Sequence, residues 1–463
     1  MNELAGAEFD AVDPSTRQPF ASVRETSADE VDAAVDAARS AQRSAAWRVP
    51  ANRAGALHLL ARAIEARADE LATLECRDTG KPISQARADV TVTVRYFDFY
   101  AGLADKLLGT SIPLGPGFVD FTTREPWGVC AQIIPWNYPM QVLARCAAPA
   151  LAAGNAVVLK PSELGSVTPV LIDQLAHAAR LPEGIFKVVT GHGPVGERLV
   201  ANEHVDFVTF VGSAAVGRKV ATAAAGRLAP VQLELGGKSP NVVFADADLE
   251  RAVPAIVKSL IQNAGQSCSA GSRLLVESSV HDELVQRVAD VMRGLSIGPG
   301  SNDPDLGPLI SEHQIERAEG MLRRAVSAGV HVELGGVRPE GLEDGWYMEP
   351  TILTDVVAGL EIFDEEVFGP VLSVSTFATE EQAVELANAT PYGLVAAVWS
   401  RDISRAHRVA AEVQAGQVYI NGYGVAGGIE LPFGGMKRSG FGRGKGVEAM
   451  YSYTQIKNVC VVL

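Results

Sequence analysis

The sequence predicts an α/β protein of two units, on three observations. Short apolar runs of strand length alternate with stretches whose apolar residues fall at helical spacing. This alternation occurs twice, with the glycine pair Gly236 and Gly237 between the two series. The chain has 463 residues, more than a single hydrophobic core ordinarily serves.

The elements follow in order. Residues 29–46 are rich in alanine with apolar positions at helical spacing, and 52–76 repeat the pattern through Leu57, Leu60, Ile64 and Leu71. From Cys130 the rhythm changes. Buried strands are expected at "VCAQIIP" (129–135), "AVVLKPS" (156–162), "FKVVT" (186–190) and "FVTFVGS" (207–213), with a helix over 170–179. Strand, helix, strand at this spacing is a βαβ unit with a right-handed crossover. The second series runs "NVVFADA" (241–247), a helix after Asp248, "RLLVESS" (273–279), a helix after Val280, "VLSVSTF" (371–377), a helix over 380–388 and "LVAAVWS" (394–400). Two segments fit neither series: 117–129, which alternates in the strand manner, and the tail 451–463. An apolar terminal strand left alone invites aggregation, so the tail is expected to pair with another edge, in this chain or in a second subunit.

Composition narrows the function. The chain is 47% hydrophobic and 21% charged, with a net charge of -15. Such an acidic chain is not expected to bind nucleic acid or an anionic membrane. The one locally basic stretch, 437–446 ("KRSGFGRGKG"), reads as a solvated glycine-rich loop rather than an RNA contact. No run approaches the ~18–20 apolar residues of a membrane span, and the start of the chain shows no secretory pattern. Cys76, Cys130, Cys146, Cys268 and Cys460 are odd in number and scattered, which suits free thiols in the cytoplasm. No cysteine pair has zinc-ligand spacing and the histidines are dispersed, so no metal site is expected.

Several short stretches carry chemistry. In "NAGQSCSAGSR" (263–273) the smallest side chains surround Cys268, which suggests that something must come close to its sulfur; a packing role stays open. In "LELGGK" (233–238) Glu234 lies at an apolar strand end, either paired with Lys238 or held as a base with a raised pKa. In "PWNYP" (135–139) Asn137 sits between aromatic residues flanked by prolines, either a turn residue or a rigid amide donor for an oxyanion. "FVGSAAVG" (210–217) places Gly212 and Gly217 around an expected helix start whose N–H groups suit a pyrophosphate. "KPSE" (160–163) puts Lys160 and Glu163 just past a strand, where open α/β sheets bind ligands.

The motifs "PWNYP", "KPSE", "FVGS", "ELGGK", "GQSC", "EEVFGP" (365–370) and "PFGGMKRSG" (432–440), in this order and over nearly the whole chain, resemble those of the NAD(P)-dependent aldehyde dehydrogenase superfamily. The resemblance implies an aldehyde dehydrogenase-like fold. It has a Rossmann-type NAD(P)-binding domain (1–110 and 129–236), an α/β catalytic domain (237–446) and a small β oligomerisation extension (111–128 and 447–463). It implies a homodimer or homotetramer that oxidises a small-molecule aldehyde to the acid with NAD, or NADP. Cys268 matches the nucleophile, Asn137 the oxyanion donor and Glu234 the base that activates water. Trp136, Lys160, Ser162 and Glu163 match cofactor-binding positions, as do Gly193, Phe210, Gly212 and Ser213. Glu366 and Phe368 match the residues that hold the nicotinamide ribose and ring. Glu163 leans toward NAD, because its carboxylate would bind a ribose hydroxyl and repel a 2′-phosphate. Glu234 also argues against relatives that pass the acyl group to coenzyme A, which typically lack this base. The alternative from another class is a thiol esterase without redox chemistry; against it, no histidine lies in any of these motifs.

Three departures from the family stand out. Arg145 and Cys146 replace a Trp-Lys pair of many relatives, which puts proton relay by that lysine in doubt and offers Arg145 to an acidic aldehyde or to an internal partner. "GHGPVG" (191–196) is a residue short, so a local loop change is expected there. "NGYGVAGGIELPF" (421–433) is glycine-rich, which suggests a roomy pocket for a bulky or cyclic aldehyde.

Overall fold

The computed structural model describes residues 7–424 and 428–463. An antiparallel hairpin, Glu8–Asp13 with Gln18–Arg24, opens the chain. Helices Ala28–Gln42, Ala45–Arg48, Pro50–Glu65, Ala68–Thr79 and Ile83–Ala101 follow. The first begins at a capping box: the Ser27 hydroxyl accepts from Glu30 N at 3.3 Å and the Glu30 carboxylate accepts from Ser27 N at 2.9 Å. The first two helical stretches read from the sequence, 29–46 and 52–76, are each broken once. Ser44 caps a new helix inside 29–46. The break at 66–67 carries neither glycine nor proline, so apolar spacing alone does not reveal it. Leu57, Leu60, Ile64 and Leu71 are buried, as their spacing predicts.

The first large sheet has the order Gly440–Phe441, Val231–Glu234, Phe207–Val211, Val129–Ile134, Ala156–Pro161, Phe186–Val188. The last five are parallel. Chain order reverses at Val129–Ile134, with Ala156–Pro161 on one side and Phe207–Val211 on the other, and a doubly wound sheet opens its ligand crevice beyond the carboxyl ends at such a point. Under the sheet lies Pro139–Ala153, a helix buried at every residue except Gln141 and ended by Gly154 at φ 100°.

The edge strand Gly440–Phe441 is antiparallel and pairs Gly440 with Glu234. It comes from a stretch with no predicted strand. Gly440 has φ +106°, and a Cβ there would collide with the Leu233 carbonyl, so only glycine allows so close a pairing.

The second large sheet has the order His331–Leu334, Thr351–Thr354, Val371–Phe377, Arg273–Glu277, Pro240–Val243, Val395–Trp399, Gln417–Ile420, with only the first of these antiparallel. Its strands alternate between two cores. Val242, Leu275 and Leu353 pack on one face, and Val243, Leu274 and Ile352 on the other. The connection from Val231–Glu234 to Pro240–Val243 runs through Gly236 and Gly237, and a Cβ on Gly237 would lie 2.7 Å from the Cys268 carbonyl. The carboxyl edge of the first sheet therefore faces the loop that carries Cys268.

The tail pairs within its own chain. Thr454–Val462 runs antiparallel to Phe118–Pro126 in register from Thr454 opposite Pro126 to Val462 opposite Phe118, and Ser111–Ile112 adds a third strand. Before that strand, Ala449, Met450 and Tyr453 enter the core of the first sheet, so the free-standing part of the tail begins at Thr454. The Tyr453 hydroxyl lies 2.9 Å from the Thr209 hydroxyl, and the Tyr453 carbonyl accepts from Asn155 at 3.0 Å. Among the described residues no helix is long and apolar enough to cross a membrane.

Candidate active site

Three chain segments meet at the crevice. Residues 135–139 leave the carboxyl end of Val129–Ile134, Gly212 and Ser213 leave that of Phe207–Val211, and Glu234 ends its own strand. They open on a cleft of about 1340 Å³ that Asn137, Glu234 and Cys268 line together. Trp136, Gly212, Ser213, Glu366 and Phe368 line it too, as do Arg145, Tyr419, Tyr423, Phe433 and Lys445.

Asn137 and the Cys268 loop hold each other. Asn137 donates from Nδ2 to the Gln266 carbonyl at 3.0 Å, and Asn263 donates from Nδ2 to the Asn137 carbonyl at 2.8 Å. Asn263, Ala264 and Gly265 all take left-handed backbone, at φ 48°, 52° and 77°. Such geometry costs a non-glycine residue about 1–2 kcal/mol and persists where surrounding contacts determine it. Here Asn263 N donates to Gln85 at 3.0 Å, and the Gln266 side chain donates to the Asn263 carbonyl at 3.0 Å and accepts from Ile310 N at 2.9 Å. Part of the small-residue pattern around Cys268 is thus packing. A Cβ on Gly265 would strike the Gly369 carbonyl, and one on Gly271 would meet Asn241 at 2.5 Å. Beneath Asn137, the fully buried Lys81 donates to the Asn137 carbonyl at 3.1 Å and to Asp89 at 2.6 Å, and lies 4.3 Å from the Tyr138 ring centre.

Electrostatics set the protonation states. Burial pushes the half-buried Cys268 thiol up to about 11 against the pull of Arg145, so the free protein holds a thiol at neutral pH. Burial raises Glu234 to about 7, with Arg145 and the Gly444 N–H drawing it back. Its Oε1 accepts from Gly444 N at 3.3 Å, while Oε2 is buried with no partner. Glu234 does not pair with Lys238, whose Nζ is buried without a partner and whose pKa burial lowers to about 7.

The residues matched to cofactor binding fall into two groups. Trp136 and Phe368 meet edge to face with centroids 5.3 Å apart, Phe368 at φ +60°. The Glu366 carboxylate accepts from Gly237 N at 3.2 Å, and burial raises its pKa to about 7. Helix Glu312–Ser327 pins this loop: Gln314 donates to the Val367 and Phe368 carbonyls, and Arg317 to those of Glu366 and Val367. Ser213 caps helix Ala214–Ala225, accepting from Val216 N at 3.4 Å, and with Gly212 lines the cleft where that helix begins.

The second group lies outside the cleft lining. Lys160 is buried at its strand end, donates to the Pro161 carbonyl at 3.0 Å and sits 3.8 Å from the Glu163 carboxylate. Ser162 caps the short turn Glu163–Gly165. Gly193, inside "GHGPVG", starts helix Gly193–Ala201, with nothing within 4 Å of a built Cβ. Phe210 is a core side chain; a Cβ on Gly212 would lie 2.7 Å from its ring, so it shapes the glycine from beneath. The helix start at Gly193, the half-buried Glu163 carboxylate and the close approach at Gly212 fit a dinucleotide.

The sequence reading missed several participants. Asn263 and Lys81 carried no motif signal. Lys445 lies in the stretch read as a solvated loop, yet its side chain turns into the cleft, with Nζ 5.1 Å from the Phe433 ring centre. Local charge counting cannot see that φ +59° at Lys445 turns the backbone inward. Arg145 is not solvated but buried. Of the glycine-rich stretch 421–433, residues 425–427 lie outside the described residues; Tyr423 and Gly424 line the cleft.

Comparison with known proteins gives one answer. The model of the aldehyde dehydrogenase family matches residues 2–459. A betaine aldehyde dehydrogenase of Bacillus subtilis (strain 168) is 40% identical over 458 residues, covering 97% of this chain and 93% of that protein. A Bacillus cereus aldehyde dehydrogenase solved as its NAD+ complex is 38% identical with TM-score 0.96, over 99% of this chain and 94% of that one. A Staphylococcus aureus betaine aldehyde dehydrogenase, also solved with NAD+, is 36% identical with TM-score 0.96, over 98% and 94% of the two chains.

Proposed function

Since the chain belongs to the aldehyde dehydrogenase family, we propose that it oxidises an aldehyde to the carboxylic acid with NAD+, through a covalent adduct on Cys268 that Glu234 helps to hydrolyse. The observation that carries this reading is the convergence of a thiol, an amide donor and a carboxylate of raised pKa in one cleft beside a dinucleotide cradle.

The chain's residues divide the work. Cys268 gives up its thiol proton to water in the cleft, and the thiolate adds to the aldehyde carbon as the carbonyl π pair moves onto oxygen. Asn137 Nδ2 has a second hydrogen beyond the one given to Gln266, and with the Cys268 N–H it receives that oxyanion. The bound cofactor supplies a hydride acceptor. Trp136, Glu366 and Phe368 hold the reactive end in place, and Lys160, Ser162, Glu163, Gly193, Gly212 and Ser213 serve the adenosine and phosphates, with Phe210 supporting Gly212. A thioester remains on Cys268. Glu234 takes a proton from water, hydroxide adds to the thioester carbon, and the Cys268 thiolate leaves. Glu163 favours NAD over NADP, since a carboxylate repels a 2′-phosphate.

The decisive assay is NADH absorbance on mixing enzyme, NAD+ and an aldehyde panel; ester cleavage with no NADH formed would favour the thiol esterase instead. Asn137→Ala lowers kcat by about 10²–10³-fold, the usual loss of one oxyanion donor. A variant at wild-type kcat would remove Asn137 from the chemistry.

We assign cofactor binding to 1–110 with 129–236 and catalysis to 237–446, supported by the separate sheets. Residues 111–128 with 447–463 form the oligomerisation extension of a homodimer or homotetramer. Phe118, Ile456 and Val462 stand exposed on one face of its sheet, an apolar surface suited to a second copy. Deleting 452–463 would also remove Tyr453 from the core, so insolubility would say nothing about assembly. The discriminating variant is Ile456→Lys with Val462→Lys, which is expected to yield a soluble monomer by light scattering; an unchanged oligomer would overturn the assignment. The free cysteines suit a reducing cytoplasm.

A further inference from the structure

Resting on the aldehyde dehydrogenase reading, we propose that the natural substrate carries a carboxylate, and that Arg145, with Lys445 beside it, holds that carboxylate in the cleft. Two of the relatives above, those of Bacillus subtilis and Staphylococcus aureus, are by name betaine aldehyde dehydrogenases, and betaine aldehyde is a cation; this cleft is built for the opposite charge.

Arg145 projects from the buried helix Pro139–Ala153, and only 7% of it is exposed. Its guanidinium lies 5.2 Å from the Phe433 ring centre, and Nη2 is fully buried with no hydrogen-bond partner among the described residues. A buried guanidinium with an idle donor is costly unless something arrives to pair with it. Lys445 approaches the same Phe433 ring. Burial and the neighbouring Arg145 lower the Lys445 pKa to about 8, so it still carries charge at neutral pH.

Among the described residues neither cation has a fixed counter-ion. Glu234 acts electrostatically on both, but it is raised to about 7 and forms no ion pair with either. Glu366 is held by Gly237 N. Cys146 and Tyr96 beside Arg145 remain protonated, at about 11 and higher. Gly444 leaves the guanidinium room, with a built Cβ no nearer than 3.8 Å to its Cδ. A planar guanidinium matches a carboxylate in two parallel hydrogen bonds, and Phe433, Tyr419 and Tyr423 supply an apolar wall for the carbon chain between acid and aldehyde. Both cations also act electrostatically on Cys268, so a loss of overall rate does not test the proposal; a ratio of substrates does.

The experiment compares kcat/KM for succinic semialdehyde, butanal and betaine aldehyde. The carboxylate substrate is expected to exceed butanal by about 10–100-fold, the worth of one or two charge-assisted hydrogen bonds, with betaine aldehyde lowest. Arg145→Met collapses the succinic semialdehyde to butanal ratio toward one through KM, and Arg145→Lys restores part of it. Lys445→Met, a milder change at the cleft surface, lowers the ratio in the same direction. Calorimetry supplies a readout independent of turnover: glutarate binds the Cys268→Ala enzyme and binds Arg145→Met on that background at least about tenfold more weakly. Equal kcat/KM for succinic semialdehyde and butanal, a preference for betaine aldehyde or for glyceraldehyde 3-phosphate, or an Arg145→Met variant that slows both substrates alike would each overturn the proposal. If no aldehyde yields NADH, the dehydrogenase reading itself has failed.

Discussion

Cys268→Ser lowers aldehyde oxidation by at least about 10⁴-fold, the scale on which removal of a covalent nucleophile registers. A serine hydroxyl is harder to ionise than the thiol it replaces, and an ester releases its alkoxide far less readily than a thioester releases a thiolate. The thiol already sits at about 11 in the free protein. A group harder still to ionise would receive little help from Arg145 and Lys445 at this distance from water. The substitution is nearly isosteric at a half-buried site, so the melting temperature should move little, and the cofactor cradle is untouched. Steady-state NADH formation measures the loss, and thermal unfolding excludes misfolding. Oxidation at wild-type rate would mean that no bond to sulfur forms.

Glu234→Gln separates the two halves of the reaction. The first turnover forms NADH at close to one equivalent per site, and the steady state then stalls by about 10²–10⁴-fold, the usual contribution of a general base. The wild-type pH profile carries the same signature. Glu234 is raised to about 7 by burial, so below pH 7 it is protonated and cannot accept a proton, and above pH 7 it can. Hydrolysis therefore rises through pH 7, and this limb vanishes in the glutamine variant. Stability moves the other way. A carboxyl whose folded pKa is raised stabilises the fold fully below its unfolded pKa, near 4.5, and that contribution is lost as pH rises through 7. At pH 8 the wild type bears a buried carboxylate with an unpaired Oε2, a cost on the order of a few kcal/mol. Glu234→Gln should melt higher at pH 8 and close to wild type at pH 4. A slow variant with no burst would show that Glu234 acts before hydride leaves.

What was legible in the sequence was what local pattern encodes. The apolar runs at 129–135, 207–213, 273–279 and 371–377 each contain a buried parallel strand, and helix Glu380–Asn388 spans 380–388 as read. Asn137, Glu234 and Cys268 meet in one cleft, as the motifs anticipate. What escaped depends on contacts between distant residues. Gly440–Phe441 is too short and glycine-rich to read as a strand; the Leu233 carbonyl against which it lies defines it. Lys81 looks like a surface lysine until the Asn137 carbonyl and Asp89 enclose it. The choice between an ion pair and an isolated base at Glu234 stayed open because "ELGGK" does not reveal that the chain turns Lys238 away.

The pairing of Gly440 with Glu234 has a consequence for how the polypeptide matures. The strand that ends in Glu234 is closed on its outer side by residues synthesised some two hundred positions later, and Tyr453 plugs the same sheet's core later still. While the ribosome is still translating the second sheet, the first has emerged with one rim bare and one void unfilled, a state open to intermolecular strand capture. The amino-terminal half is thus not a self-sufficient folding unit, and closure of the nucleotide crevice waits for the end of translation.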